Sequence, residues 1–244
     1  MMVLDTPHGP WRIVDAAEKL AWRASLPGAF GYDRCAHALR LARARRLPVE
    51  ELLALALPAS WMVNSRAGSP VFQRWLQPEA RAAWTELVGL LAGGVGPWLG
   101  ARPEVREGVT ELSRALLALG GDLCALSKVL ALLVPEGVPL MDDAALWMLL
   151  DAVPRPAAAD APTGAVEHLL PMLDAFSLAV ITHEDALIAL ARGHAAAVLD
   201  APQVLDRLIW FESWGWTHTA RAARGPRWRE VIEEGARTIA RDDP

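Results

Sequence analysis

Proline and glycine sit at the edges of the helix-periodic segments of this 244-residue chain, and this punctuation constrains its fold more than any other feature. Pro48, Pro70, Pro78 and Pro103 each open a segment, where a missing N–H costs nothing because first-turn amides have no intrahelical partner. Gly93-Gly94 and Gly120-Gly121 stand where segments stop, at positions suited to left-handed backbone. The pattern predicts helices near 13–25, 33–46, 48–57, 70–76, 78–92, 103–119, 123–134 and 143–153. Beyond these it predicts helices near 165–193 (with a break around Thr182), 202–212 and 226–241. Residues 93–103, with Pro97 and Trp98, read as a loop. Period-two alternation bounded by turn residues is not found, so strands are not expected, and no repeat of fixed length emerges. The expectation is an all-α, orthogonal multi-helix array in one domain, 1–244. Two lobes around a cleft, 1–153 and 164–244, are an alternative division, joined by the Pro/Ala-rich stretch at 154–163.

Apolar residues make up 53% of the chain and charged residues 22%, which is enough to bury a core and excludes disorder for most of the sequence. Eleven Trp against one Tyr and four Phe give the large-aromatic role mainly to indole, whose N–H wants an acceptor. The net charge of −5 argues against a surface that attracts nucleic acid everywhere, although a local basic patch remains open. Two cysteines, Cys35 and Cys124, form no disulfide framework and read as reduced core thiols. The N-terminus carries neither a basic nor an apolar signal region. The longest uncharged run, Leu87 to Ala101, is 15 residues and broken by Gly and Pro, too short to span a bilayer. A soluble, cytoplasmic protein without a membrane partner is expected.

Lys128 is the only formal charge between Leu123 and Pro135, and with Lys19 it is one of only two lysines beside 22 arginines. An ammonium in such a run must snorkel, find an anion or lower its pKa. The nearest downstream anions, Asp142 and Asp143, follow a loop bracketed by Pro135 and Pro139. Ser127-Lys128 with Asp142 could therefore form a site in which Lys128 is nucleophile or base and Asp142 activates water or stabilises a cation. The same residues could form a structural ion pair. Asp142 and Asp143 could also simply cap the following helix. A mostly buried Lys128 within reach of Asp142 or Asp143 is the specific expectation.

Trp210, Trp214 and Trp216, followed by His218, could offer flat faces to a base, or could pack as core, since Trp210 and Trp214 lie one helical turn apart. Arg221, Arg224, Arg227 and Arg229 follow closely and could grip phosphates. A second cluster, Arg40, Arg43, Arg45 and Arg46, suits the end of a helix. His183-Glu184 has no second histidine at zinc spacing and His168 stands alone, so neither a metal nor another cofactor is expected.

The stretch Leu126-Ser127-Lys128-Val129-Leu130, followed by Pro135, Pro139 and Asp142, resembles the central part of helix-hairpin-helix DNA glycosylases. The likeness is to the divergent bacterial 8-oxoguanine-glycosylase-like group. Val204-Leu205-Asp206-Arg207-Leu208-Ile209-Trp210 is similar to the closing helix of that group. The resemblance implies a two-lobed all-α fold, a DNA or nucleotide-like partner, and Asp142 as the residue serving attack at the sugar C1′. It matches Lys128 to the lysine that closes the hairpin beside the DNA backbone. The family's hairpin glycines are replaced here by Cys124 and Leu126, and no imine-forming lysine stands near Leu123. Base excision without strand cleavage is thus the activity implied. A non-catalytic scaffold that binds a protein partner is the alternative.

Overall fold

The computed structural model describes residues 2–25, 27–60, 70–151, 165–193 and 199–219; within these, the side chains at 22, 24–31, 58–60, 70, 143–144 and 213–219 are not described. The chain opens with a β-hairpin, β1 (Met2–Thr6) and β2 (Gly9–Ile13), and continues with helices α1 (Ala16–Ser25), α2 (Pro27–Ala44) and α3 (Val49–Ser60). Next come α4 (Pro70–Trp75), α5 (Pro78–Leu91), α6 (Val95–Leu99), α7 (Pro103–Ala118), α8 (Leu123–Leu133) and α9 (Asp143–Leu150). After a 3-10 turn at Val166–His168 follow α10 (Leu169–Thr182), α11 (Glu184–Gly193) and α12 (Ala201–Thr219). Among the described residues the fold is all-α apart from that hairpin.

Helix α8 lies at the centre because its sequence is apolar nearly all round, and such a helix is stable only when surrounded. Leu123, Leu126, Val129, Leu130, Leu132 and Leu133 are fully buried. Burying one such side chain contributes about 1.5–3 kcal/mol. Helices α2, α3 and α7 pack on α8, α12 packs on α9 and α1, and α10 packs on α6 and α9. The elements after residue 164 thus pack directly on those before 152. α7 and α8 meet at 119° across Gly120-Gly121, whose φ angles of 115° and 92° are open to glycine and strained for other residues. Among the described residues no single helix is long and apolar enough to cross a membrane.

Several indoles carry the packing, and Trp75, Trp98 and Trp11 find acceptors while the buried Trp84 N–H has none among the described residues. Trp75 and Trp84 meet edge to face at 5.5 Å, and Trp75 Nε1 donates to Leu116 O at 3.0 Å. Trp98 Nε1 donates to Asp174 at 3.0 Å and Trp11 Nε1 to Glu212 at 3.1 Å.

The hairpin corrects the expectation of no strands. Thr6 Oγ1 donates to Gly9 O at 2.8 Å and accepts from His8 N at 3.2 Å, closing the turn, while Met2, Leu4 and Ile13 face the core. A lone hairpin is marginal, so its stability comes from packing. His8 stacks on Trp147 with ring centroids 4.1 Å apart, and its Nε2 lies 2.9 Å from Trp147 O near the end of α9. Other boundaries also moved. The predicted loop at 93–103 contains α6, the first helix begins at Ala16, and α12 runs on to Thr219. The break predicted near Thr182 separates α10 from α11. The linker at 154–163 and the helix predicted at 226–241 lie outside the described residues.

Candidate functional site around Asp142

Asp122 starts α8 by accepting the Ala125 amide at 2.7 Å, and the helix ends at Val134. The chain then crosses the interior. Every residue from Val134 to Met141 is buried except the half-buried Glu136. A buried loop must still satisfy its polar backbone, and here it does so in three ways. Pro135 and Pro139 have no N–H to satisfy. Gly137 and Val138 amides turn back to Val134 O at 3.0 and 3.1 Å. Leu140 N donates to Asp206 Oδ1 at 2.7 Å, and Met141 N donates to Ser127 Oγ at 2.9 Å. The loop also fits tightly: a Cβ on Gly137 would come within 3.2 Å of Gly94 Cα.

At Asp142 the chain emerges. Asp142 is half-buried, adopts extended backbone and caps α9 by accepting the Ala145 amide at 2.8 Å. The capping role is therefore present. Asp143 begins α9, and its side chain lies outside the described residues. Lys128 is intermediate in burial, on a side of α8 that lies nearer the surface than the fully buried Leu126, Val129 and Leu130. Ser127 and Met141 are the chain neighbours of Lys128 and Asp142, and their hydrogen bond ties α8 to the segment that leads into Asp142. Ser127 itself is fully buried, donating to Cys124 O at 3.0 Å while accepting from Met141. Its hydroxyl braces the loop and is closed to a ligand.

Behind the loop lies a chain of buried charges. Asp206 Oδ2 accepts from Arg207 Nη1, while Arg207 Nε and Nη2 both reach Asp33 Oδ1 at 2.8 Å. Asp33 Oδ2 accepts from Arg23 Nη1 at 2.5 Å. Arg207 is 2% exposed, and its guanidinium lies 5.2 Å from the centre of the Tyr32 ring. Tyr32 in turn donates its hydroxyl to Lys128 O at 3.3 Å. Burial alone would raise the Asp33 carboxyl, but Arg207 and Arg23 outweigh it and hold it below its ordinary value. Burial pulls the Arg23 guanidinium down to about 10, against the attraction of Asp33. Burial likewise pushes the Tyr32 phenol up. None of Arg23, Tyr32 and Asp33 was singled out from sequence. Asp206 and Arg207 carried a readable signal: a charged pair inside an apolar run, the same sign that marked Lys128.

The remaining sequence candidates separate. Trp210 is half-buried, 5.6 Å from the Arg23 guanidinium and edge-on to Phe211 at 6.3 Å. The backbone of Trp214, Trp216 and His218 continues α12, and their side chains lie outside the described residues. Arg221, Arg224, Arg227 and Arg229 lie outside them entirely. In the other basic cluster, Arg40 pairs with Asp200, and Arg43 pairs with Glu136 and donates to Leu133 O at 2.7 Å. Arg45 and Arg46 are exposed. Arg43 thus braces the same loop from its other end. Among the described residues no group of three or more His, Cys, Asp and Glu side chains is arranged to hold a metal ion. A separate cleft of about 320 Å³ lies between α7 and α10, lined by Arg106, Thr110, Arg114, Glu167 and Asp174 among others. Arg106 is already committed there, forked onto Asp174 at 2.9 and 2.5 Å and stacked on Trp98 at 4.9 Å.

No protein-family model matches this chain, and no curated protein or solved structure matches it either.

Proposed function

We propose that this protein is a DNA glycosylase-like hydrolase that acts on or binds a modified base in nucleic acid, with Asp142 as its catalytic group. One observation carries the reading. The two stretches that resemble the glycosylases, 126–142 and 204–210, meet at the Leu140–Asp206 hydrogen bond and hold Asp142 at the point where a rigid loop reaches the surface. A carboxylate held in that way can stabilise positive charge developing at the sugar C1′ and orient a water toward it. The bond from C1′ to the base nitrogen breaks, its electron pair leaves with the base, the water oxygen takes its place at C1′, and the proton the water gives up passes by way of the Asp142 carboxylate to the departing base. With no imine-forming lysine, the product is an abasic site in an uncut strand. Lys128, intermediate in burial on α8, is the proposed contact to a backbone phosphate. Trp210, Trp214, Trp216 and His218 are the proposed faces for a flipped base, which must repay unstacking of a few kcal/mol. Arg221, Arg224, Arg227 and Arg229 are the proposed phosphate contacts, so affinity should fall steeply with salt.

The alternative, a scaffold that binds a protein partner without catalysis, draws on a different observation. The residues at the hairpin-glycine positions, Cys124 and Leu126, lie inside regular helix, and the Leu126 amide already donates to Asp122 O at 3.0 Å. That amide is not free for a phosphate, so the hairpin-type backbone grip is missing at Leu126. Duplexes carrying a panel of damaged or modified bases, incubated with the protein and then cleaved with alkali, distinguish the two. Strand breaks that appear only after alkali support the glycosylase reading. No release from any duplex, together with salt-insensitive or absent DNA binding, favours the protein-partner scaffold.

A further inference from the structure

The geometry points to Asp206 and Arg207 as positioning residues for Asp142, the last links of a buried chain Arg23–Asp33–Arg207–Asp206 that ends on the Leu140 amide. The inference rests on the proposed role of Asp142 for its catalytic meaning, though not for its structural content. Four charged groups have been taken out of water here, with Arg23, Asp33, Asp206 and Arg207 each 4% exposed or less. Desolvation of such groups offsets their attraction, and well-packed apolar residues often give equal or greater stability. What apolar residues lack is direction. Arg207 donates to both carboxylates, Asp33 and Asp206, and with Asp206 Oδ2 engaged in this way Oδ1 accepts from Leu140. Two residues further on is Asp142. The Ser127–Met141 bond fixes the amide between them. Consecutive amides are therefore held from opposite sides, by α12 and by α8. Arg207 also lies over Tyr32, which bonds the carbonyl of Lys128, so the same guanidinium is connected to both members of the sequence-derived pair.

The other charged clusters do not reach this loop in the same way. Lys19, buried, and Glu212, partly buried, form a pair that with Trp11 ties α1 and the hairpin to α12. Arg106 and Asp174 join α7 to α10. Arg43–Glu136 does touch 134–142, but it holds the loop's start.

The test is amide hydrogen exchange on the full chain, comparing Asp206→Asn and Asp206→Ala with the parent. Asn keeps an oxygen for the Leu140 amide but loses the ion pair with Arg207, and Ala loses both. Exchange at residues 136–142 should quicken by roughly tenfold or more in Asp206→Ala and by less in Asp206→Asn, while α5 and α7 stay unchanged. If exchange quickens equally throughout the chain, or not at all, the positioning role is overturned. With a releasable base in hand, single-turnover release should slow in both variants at unchanged DNA affinity, and a matching loss of affinity would count against positioning. If Asp142→Asn releases base as fast as the parent, the catalytic reading fails by itself. The exchange result then still decides whether Asp206 positions the loop.

Discussion

The Leu140 amide and the Asp206 carboxylate meet at 2.7 Å across 66 residues of sequence, and this contact ties the segment carrying Asp142 to the helix carrying Arg207. A hydrogen bond to a charged acceptor contributes about 1.5–3 kcal/mol. Its larger consequence is geometric, since the donor belongs to a backbone that cannot turn away.

Ser127 provides the second anchor. Ser127→Ala leaves the buried Met141 amide without its acceptor, and an unsatisfied buried group costs about 1–3 kcal/mol. Urea denaturation should show a lower midpoint with an unchanged slope. An unaltered midpoint would mean that the hydroxyl does not brace the loop.

Two ion pairs that look similar on paper should behave very differently. Asp33→Asn strands Arg207 and Arg23 in the interior, and breaking a buried pair costs about 3–5 kcal/mol. Asp174→Asn acts on a pair whose carboxylate is 39% exposed, and should cost under about 1 kcal/mol. Equal losses in denaturation would contradict the contrast in burial.

Asp33 also predicts a pH dependence. Its carboxyl is held below its unfolded value by Arg207 and Arg23, so its stabilisation is complete above the ordinary carboxylate range, roughly pH 4, and is lost as pH falls through the folded value. Asp200, raised chiefly by burial, contributes with the opposite sign. Asp33→Asn should therefore show a smaller loss of stability between pH 7 and pH 3 than the parent. A variant with the parent's acid slope would remove Asp33 as its source.

Much of this was legible in the sequence, for identifiable reasons. Pro78 and Pro103 begin α5 and α7, and Gly120-Gly121 turns the chain by 119° because these residues act on local backbone alone. Lys128 and Asp142 stood out as charges beside apolar runs. The hairpin was missed because Pro7, Pro10 and Asp5 blur its alternation, and because its turn packs on Trp147, far along the sequence. Helix α6 was missed because Gly96 and Pro97 read as breakers, although proline is tolerated in the first turn of a helix. Asp33 was invisible for a different reason: its partner Arg207 is 174 residues away, and nothing local records such a pairing.

The corner at Gly121 tests the packing around α8. A Cβ there would lie 3.1 Å from both Trp75 and Val71, on backbone with φ of 92°. Gly121→Ala should destabilise by about 1–3 kcal/mol, read as a fall in melting temperature. An unchanged melting temperature would show that the corner has room to adjust.

The most direct measurement is base release by Asp142→Asn under single-turnover conditions, on whichever modified duplex the parent attacks. Asn still caps a helix, so circular dichroism and melting should stay close to the parent. The account predicts that release is abolished while DNA affinity and its salt dependence persist. Release at the parent's rate from a correctly folded Asp142→Asn would contradict it.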